Sequence, residues 1–126
     1  MIKKLGQIML YVNNQEEILK FWTEKVGFIL VSEEDNGEGL KWFEIAPTKE
    51  AETSFVLHNK ELIAKMHPEL NLNTPSLMFY SEDVDKLYQD FLDKNIKVGE
   101  MVNMPNGKVF NFADNEDNYF AVMEKL

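Results

Sequence analysis

Cysteine is absent from this chain, and so is arginine. Without cysteine there are no disulfides, no thiolate nucleophile and no sulfur-ligated metal, so any catalysis has to use other groups. Without arginine there is no planar fork to hold phosphate or carboxylate through paired bonds, and the thirteen basic residues, all lysine, face 22 acidic ones. The formal charge of −9 repels a phosphate backbone, which argues against nucleic acid as a partner and favours a neutral or cationic small molecule. The same acidity also serves plain solubility, a reading that requires no ligand. No apolar run approaches the roughly 20 residues needed to cross a bilayer. The opening residues 1–4 lead into a strand-like segment rather than a signal peptide, so a cytoplasmic protein with no membrane partner is expected.

What is present is ordinary globular material, 44% hydrophobic and 28% charged over 126 residues, enough for one compact domain. Residues 6–12 alternate like a strand and stop at Asn13 and Asn14, where a helix cap is expected. Ile18, Leu19, Trp22 and Val26 then share one helical face until Gly27. Strands follow at 28–32, 40–46 and 53–58, the first two joined by a turn at 36–39. Residues 59–74 read as a connector with one helical stretch near 60–66 closed by Pro68.

The first pattern then begins again. Laying Gln7 on Ser76 pairs Met9 with Met78, Tyr11 with Tyr80, Asn14 with Asp83, Ile18 with Leu87 and Trp22 with Phe91. Strands at 97–104, 108–113 and 118–124, with a turn at 105–107, complete a second unit. The chain is therefore read as an α+β fold in a single domain, 1–126. A first βαβββ module covers 1–58, a connector 59–74 and a second module 75–126, and the paired modules form a curved mixed β-sheet cup with helices outside.

Strand parity selects the face that carries function. If Ile8, Leu10 and Val12 lie under the first helix, then Gln7, Met9 and Tyr11 point to the opposite face. The same parity sends Ser76, Met78 and Tyr80 there in the repeat, while Leu77 and Phe79 go under the second helix. The competing reading takes these methionines and aromatics as ordinary core packed between sheets.

These stretches resemble the vicinal oxygen chelate superfamily, which includes glyoxalase I, the bleomycin-resistance proteins, extradiol dioxygenases and fosfomycin-resistance enzymes. The resemblance rests on residues 7–14 with the helix ending at Val26, Gly27 and Phe28, on the paired repeat, and on residues 112–124. The last of these is similar to the family signature F-x-D-P-D-G-N-x-x-E-L-x-E, with Asn115, Glu116 and Asp117 in place of its Pro, Asp and Gly. Metal-dependent members of the family hold a divalent ion on four inward side chains. Carried over, the first position is Gln7, the second is Val56 or His58, the third is Ser76 and the fourth is Ala121, which has no donor atom. At most two donors remain where a catalytic site keeps three protein ligands, so the resemblance implies no metal centre and no other cofactor here. His67, just before Pro68, is read as a surface residue.

The expectation is a metal-independent small-molecule binder of the bleomycin-resistance type, acting as a homodimer. Its cup is lined by Met9, Tyr11, Trp42, Met78, Tyr80, Tyr119, Ala121 and Met123, with Gln7, His58 and Ser76 as polar anchors. Two alternatives stand beside it: a glyoxalase-related lyase or isomerase with His58 as proton shuttle, or a structural protein whose cavity is filled.

Overall fold

A computed structural model of the protein describes residues 1–125. Two compact units emerge, Met1–Asn73 and the segment from Thr74 onward. In the first, β1 (Gln7–Val12) leads into α1 (Gln15–Lys20), which widens into a π-helical stretch Phe21–Val26. Then come β2 (Ile29–Asp35), β3 (Lys41–Ala46), β4 (Ser54–Asn59) and α2 (Lys60–Met66). The strands lie in the order β1-β4-β3-β2, with β1 parallel to β4 and the other pairs antiparallel.

Local chemistry explains where these elements start and stop. The Asn14 side chain accepts from the Glu17 N–H at 3.1 Å, and Glu16 and Glu17 place negative charge on the first helical turn. Gly27 closes the π-helical stretch at φ 96°, a left-handed geometry that glycine adopts without a Cβ penalty. The wider turn has a packing consequence that the 3.6-residue period does not show: Phe21 and Trp22, adjacent in sequence, are both buried. Trp22 then meets Phe28 and Phe55, at ring-centroid distances of 4.8 and 5.4 Å. Gln15 pins the helix start to the sheet, its side-chain amide donating to the Lys41 carbonyl at 2.7 Å and the Leu57 carbonyl at 2.9 Å. The helix α2 is capped by Asn59, which accepts from the Leu62 N–H, and it buries Ile63 against β1 and β4.

The second unit runs β5 (Met78–Ser81), α3 (Val84–Asp93), β6 (Lys97–Val98), β7 (Val102–Met104), β8 (Gly107–Ala113) and β9 (Tyr119–Glu124). Its order is β5-β9-β8-β6, with β7 also on β8, and β5 is parallel to β9. Asp83 caps α3 through the Lys86 N–H as Asn14 caps α1. Trp22 and Phe91, paired by the repeat, are equally buried, and the carbonyl of each accepts a closing backbone bond, from Phe28 and Ile96 respectively. Phe91 sits edge-on to Phe110 and Phe112, which gives the second unit its own aromatic core.

The described residues form an α+β fold with two mixed sheets and, among them, no closed barrel. Three boundaries differ from the sequence reading. The strand expected at 97–104 is broken at residues 99–101 into β6 and β7, because the Gly99 N–H bonds to the Asn111 carbonyl while the ladder resumes only at Val102. The strand expected at 28–32 continues to Asp35 through a bulge between Leu30 and Ser32. Ser76, read as the first residue of the repeated strand, precedes β5 and is exposed.

The closing turn of the signature is held by a buried carboxylate. Asp114 accepts from the Glu116 and Asn118 N–H groups, both at 2.9 Å, and from the Asn118 side-chain amide at 3.0 Å. Burial pushes its carboxyl above the ordinary range, and the bonds from Asn118 and Glu116 pull it partly back. The turn keeps its shape without the proline and glycine of the family pattern, Asp117 taking the positive φ of 59° where the family has Gly.

Candidate functional site

Alternation along β1 buries Leu10 and Val12 and leaves Gln7 and Met9 on the open face, with Tyr11 half-buried among them. The parallel register then dictates the neighbours on β4: Gln7 faces Ser54, Met9 faces Val56, and Tyr11 faces His58. On the far side of β4, Trp42 faces His58 and Glu44 faces Val56. One face of the first sheet therefore gathers Gln7, Met9, Tyr11, Trp42, Glu44, Ser54, Val56 and His58.

Two clusters lie on that face. At one end His58 is the hub: Tyr11 stacks on it at 5.6 Å between ring centroids, Trp42 is tilted against it at 6.4 Å, and its Nε2 lies 3.3 Å from the Met9 sulfur. Its Nδ1 is buried with no hydrogen-bond partner among the described residues. Desolvation holds the imidazole below its ordinary value, toward the neutral form. At the other end, Glu44 accepts from the Ser54 hydroxyl at 2.6 Å, the Gln7 amide at 3.3 Å and the Ser32 hydroxyl at 3.4 Å. A cavity of about 290 Å³ opens beside this carboxylate, lined in part by Gln7, Glu44, Ser54, Lys4, Lys49 and Glu52.

The register separates residues that the sequence reading had linked. Of the two alternatives for the second family position, His58 lies opposite Tyr11, well along β1 from Gln7, whereas Val56 lies opposite Met9. The groups that touch Gln7's neighbourhood are Ser54 and Glu44, neither of which was singled out from sequence. Glu44 was missed because β3 alternates weakly, with Phe43, Ile45 and Ala46 all buried, so its facing was unreadable until β3 was paired. The one available signal was parity with Trp42, two residues earlier on the same strand.

The second sheet carries its own group. Met78 faces Ala121, Tyr80 faces Met123, and across β9 these continue to Asn111 and Val109. Tyr119 faces Ala113, with the Lys97 ammonium 5.5 Å above its ring. Met78, Tyr80 and Tyr119 are 47%, 64% and 52% exposed. The expected lining thus divides into Gln7, Met9, Tyr11, Trp42 and His58 on the first unit, and Ser76, Met78, Tyr80, Tyr119, Ala121 and Met123 on the second.

Residues 4–122 match the description Glyoxalase/Bleomycin resistance protein/Dioxygenase superfamily. The chain belongs to that superfamily. It is 33% identical to the uncharacterized protein YetH of Bacillus subtilis (strain 168), over 98% of this chain and all of that one. Among solved structures it is similar to TnmS3, an antibiotic binding protein from Streptomyces sp. CB03234, at 26% identity and TM-score 0.81, covering 99% of this chain and 98% of that one. A glyoxalase/bleomycin resistance protein from the same Streptomyces is 26% identical with TM-score 0.76, covering 95% and 99%. Among the described residues no helix is long and apolar enough to cross a membrane.

Proposed function

We propose that this protein binds a small neutral-to-cationic aromatic molecule without a metal and without catalysing its conversion. The observation that carries the reading is the His58 cluster, in which Tyr11, Trp42 and a neutral imidazole form an aromatic surface edged by the Met9 thioether. The likeness to an antibiotic binding protein supports the same class of ligand. Filled core is disfavoured by the exposure of Met78, Tyr80 and Tyr119.

The family positions for a divalent ion do not fit one. They offer a carboxamide already directed at Glu44, a valine or the His58 imidazole, an exposed serine and an alanine, at most two donors where three protein ligands are needed. A lyase or isomerase would need a base oriented by a second group, yet His58 Nε2 lies against a sulfur and its Nδ1 has no carboxylate behind it. The exposed apolar side chains on the second sheet support a homodimer. A mass of one chain by light scattering at micromolar concentration would overturn that part.

The test of binding is a fluorescence titration of the Trp22→Phe variant, in which Trp42 is the reporter. Cationic glycopeptides of the bleomycin type, flavonoids and aromatic amines form the panel, and saturable quenching by at least one is the expected result. No response from any of them overturns the binding reading. Elemental analysis tests the metal: stoichiometric zinc, nickel, manganese or iron in unsupplemented protein, lost together with binding on chelation, would overturn metal independence.

A further inference from the structure

We infer that Glu44 is an ammonium-binding site, so that the ligand of the first sheet is an aromatic amine with its ring at Tyr11, Trp42 and His58 and its charged nitrogen at Glu44. This rests on the small-molecule reading above and deepens it. Three observations carry it. Glu44 is held in place by three neutral donors, the hydroxyls of Ser54 and Ser32 and the amide of Gln7, which orient the carboxylate without cancelling its charge. No ion pair to Glu44 forms among the described residues, although Lys4 and Lys49 line the same cavity. The carboxylate has more acceptor sites than those three donors use, and it borders a cavity of about 290 Å³, so a cation can approach it.

The spacing sets the ligand's shape. Glu44 and Trp42 are alternate residues on β3 and point to the same face, which separates them by about 7 Å along the strand. A fused aromatic ring with a short aminoalkyl arm spans that distance. A ring bearing a carboxylate would place like charges together at Glu44, and its binding would have to come from Lys4 and Lys49 instead.

The experiment is calorimetric titration of the intact protein with naphthylethylamine, its neutral isostere naphthylethanol, and naphthylacetate. The expected order is amine first by about tenfold or more over the alcohol, with the carboxylate weakest, and the amine's advantage shrinking at high salt. In Glu44→Gln, which keeps an acceptor for Ser54, the amine's advantage over the alcohol should disappear. In Glu44→Asp, which keeps the charge, a preference for the amine should remain. Equal binding of amine and alcohol to the unaltered protein, tighter binding of the carboxylate, or an undiminished preference in Glu44→Gln overturns the ammonium site and leaves the small-molecule reading standing. Binding of none of the three, together with silence across the wider panel, overturns both.

Discussion

Tyr11 on β1 and His58 on β4 stand directly opposite each other and stack, with ring centroids 5.6 Å apart and planes 21° apart. Neither side chain is near the other in sequence, and the pair exists because a parallel strand pairing brings position 11 alongside position 58. The stack also helps to dry the imidazole, which is why its protonation behaviour is the first property to test.

Burial depresses the folded-state value of His58 below its ordinary 6.5. The neutral form is therefore favoured by folding, and the associated stability is fully present above that ordinary value and lost as pH falls through the folded value. Urea denaturation across this range should show the protein losing stability on acidification relative to His58→Phe, which lacks the titrating group. A difference between the two proteins that stays constant from about pH 8 to 5 would contradict this assignment.

The two tryptophans should behave as opposites. Trp22 is wholly buried and Trp42 is partly open to solvent. Acrylamide should quench Trp42 in the Trp22→Phe protein and leave emission largely protected in Trp42→Phe. Trp22→Phe should also cost stability, about 1–3 kcal/mol, through the void left beside Phe28 and Phe55.

Asp114 is expected to matter for folding rather than binding. Asp114→Ala leaves three donors from Glu116 and Asn118 without their acceptor and should cost about 2 kcal/mol or more by chemical denaturation. Asp114→Asn retains an acceptor oxygen and should lose less. Equal losses in the two variants would show that the turn does not depend on these bonds.

Two glycines separate backbone strain from steric clash. At Gly27 an added Cβ meets nothing within 4 Å, so Gly27→Ala should cost only the left-handed backbone penalty, about 1 kcal/mol. At Gly107 the φ is 138° and the Cβ would lie 3.1 Å from the Glu124 carbonyl oxygen. Gly107→Ala should therefore be clearly the more destabilising of the two, measured as a larger drop in thermal midpoint.

Much of this molecule was legible along the chain. Caps at Asn14 and Asp83 announce helices because their side chains reach a backbone N–H a few residues ahead, an interaction confined to local sequence. The repeat that matches Trp22 with Phe91 marks equivalent core positions, and strand parity assigns Met9 and Met78 to open faces, since alternation is a property of the extended chain itself. What tertiary structure alone decided is who sits beside whom across strands. The π-helical turn that buries Phe21 with Trp22, the break that splits β6 from β7, and the bulge in β2 each follow from packing against a partner element. So do the separation of Gln7 from His58 and the meeting of Glu44 with Ser54, Gln7 and Ser32. Register between distant strands depends on contacts that no local pattern encodes, and a carboxylate on β3 acquires its role only once β2, β4 and β1 are laid beside it.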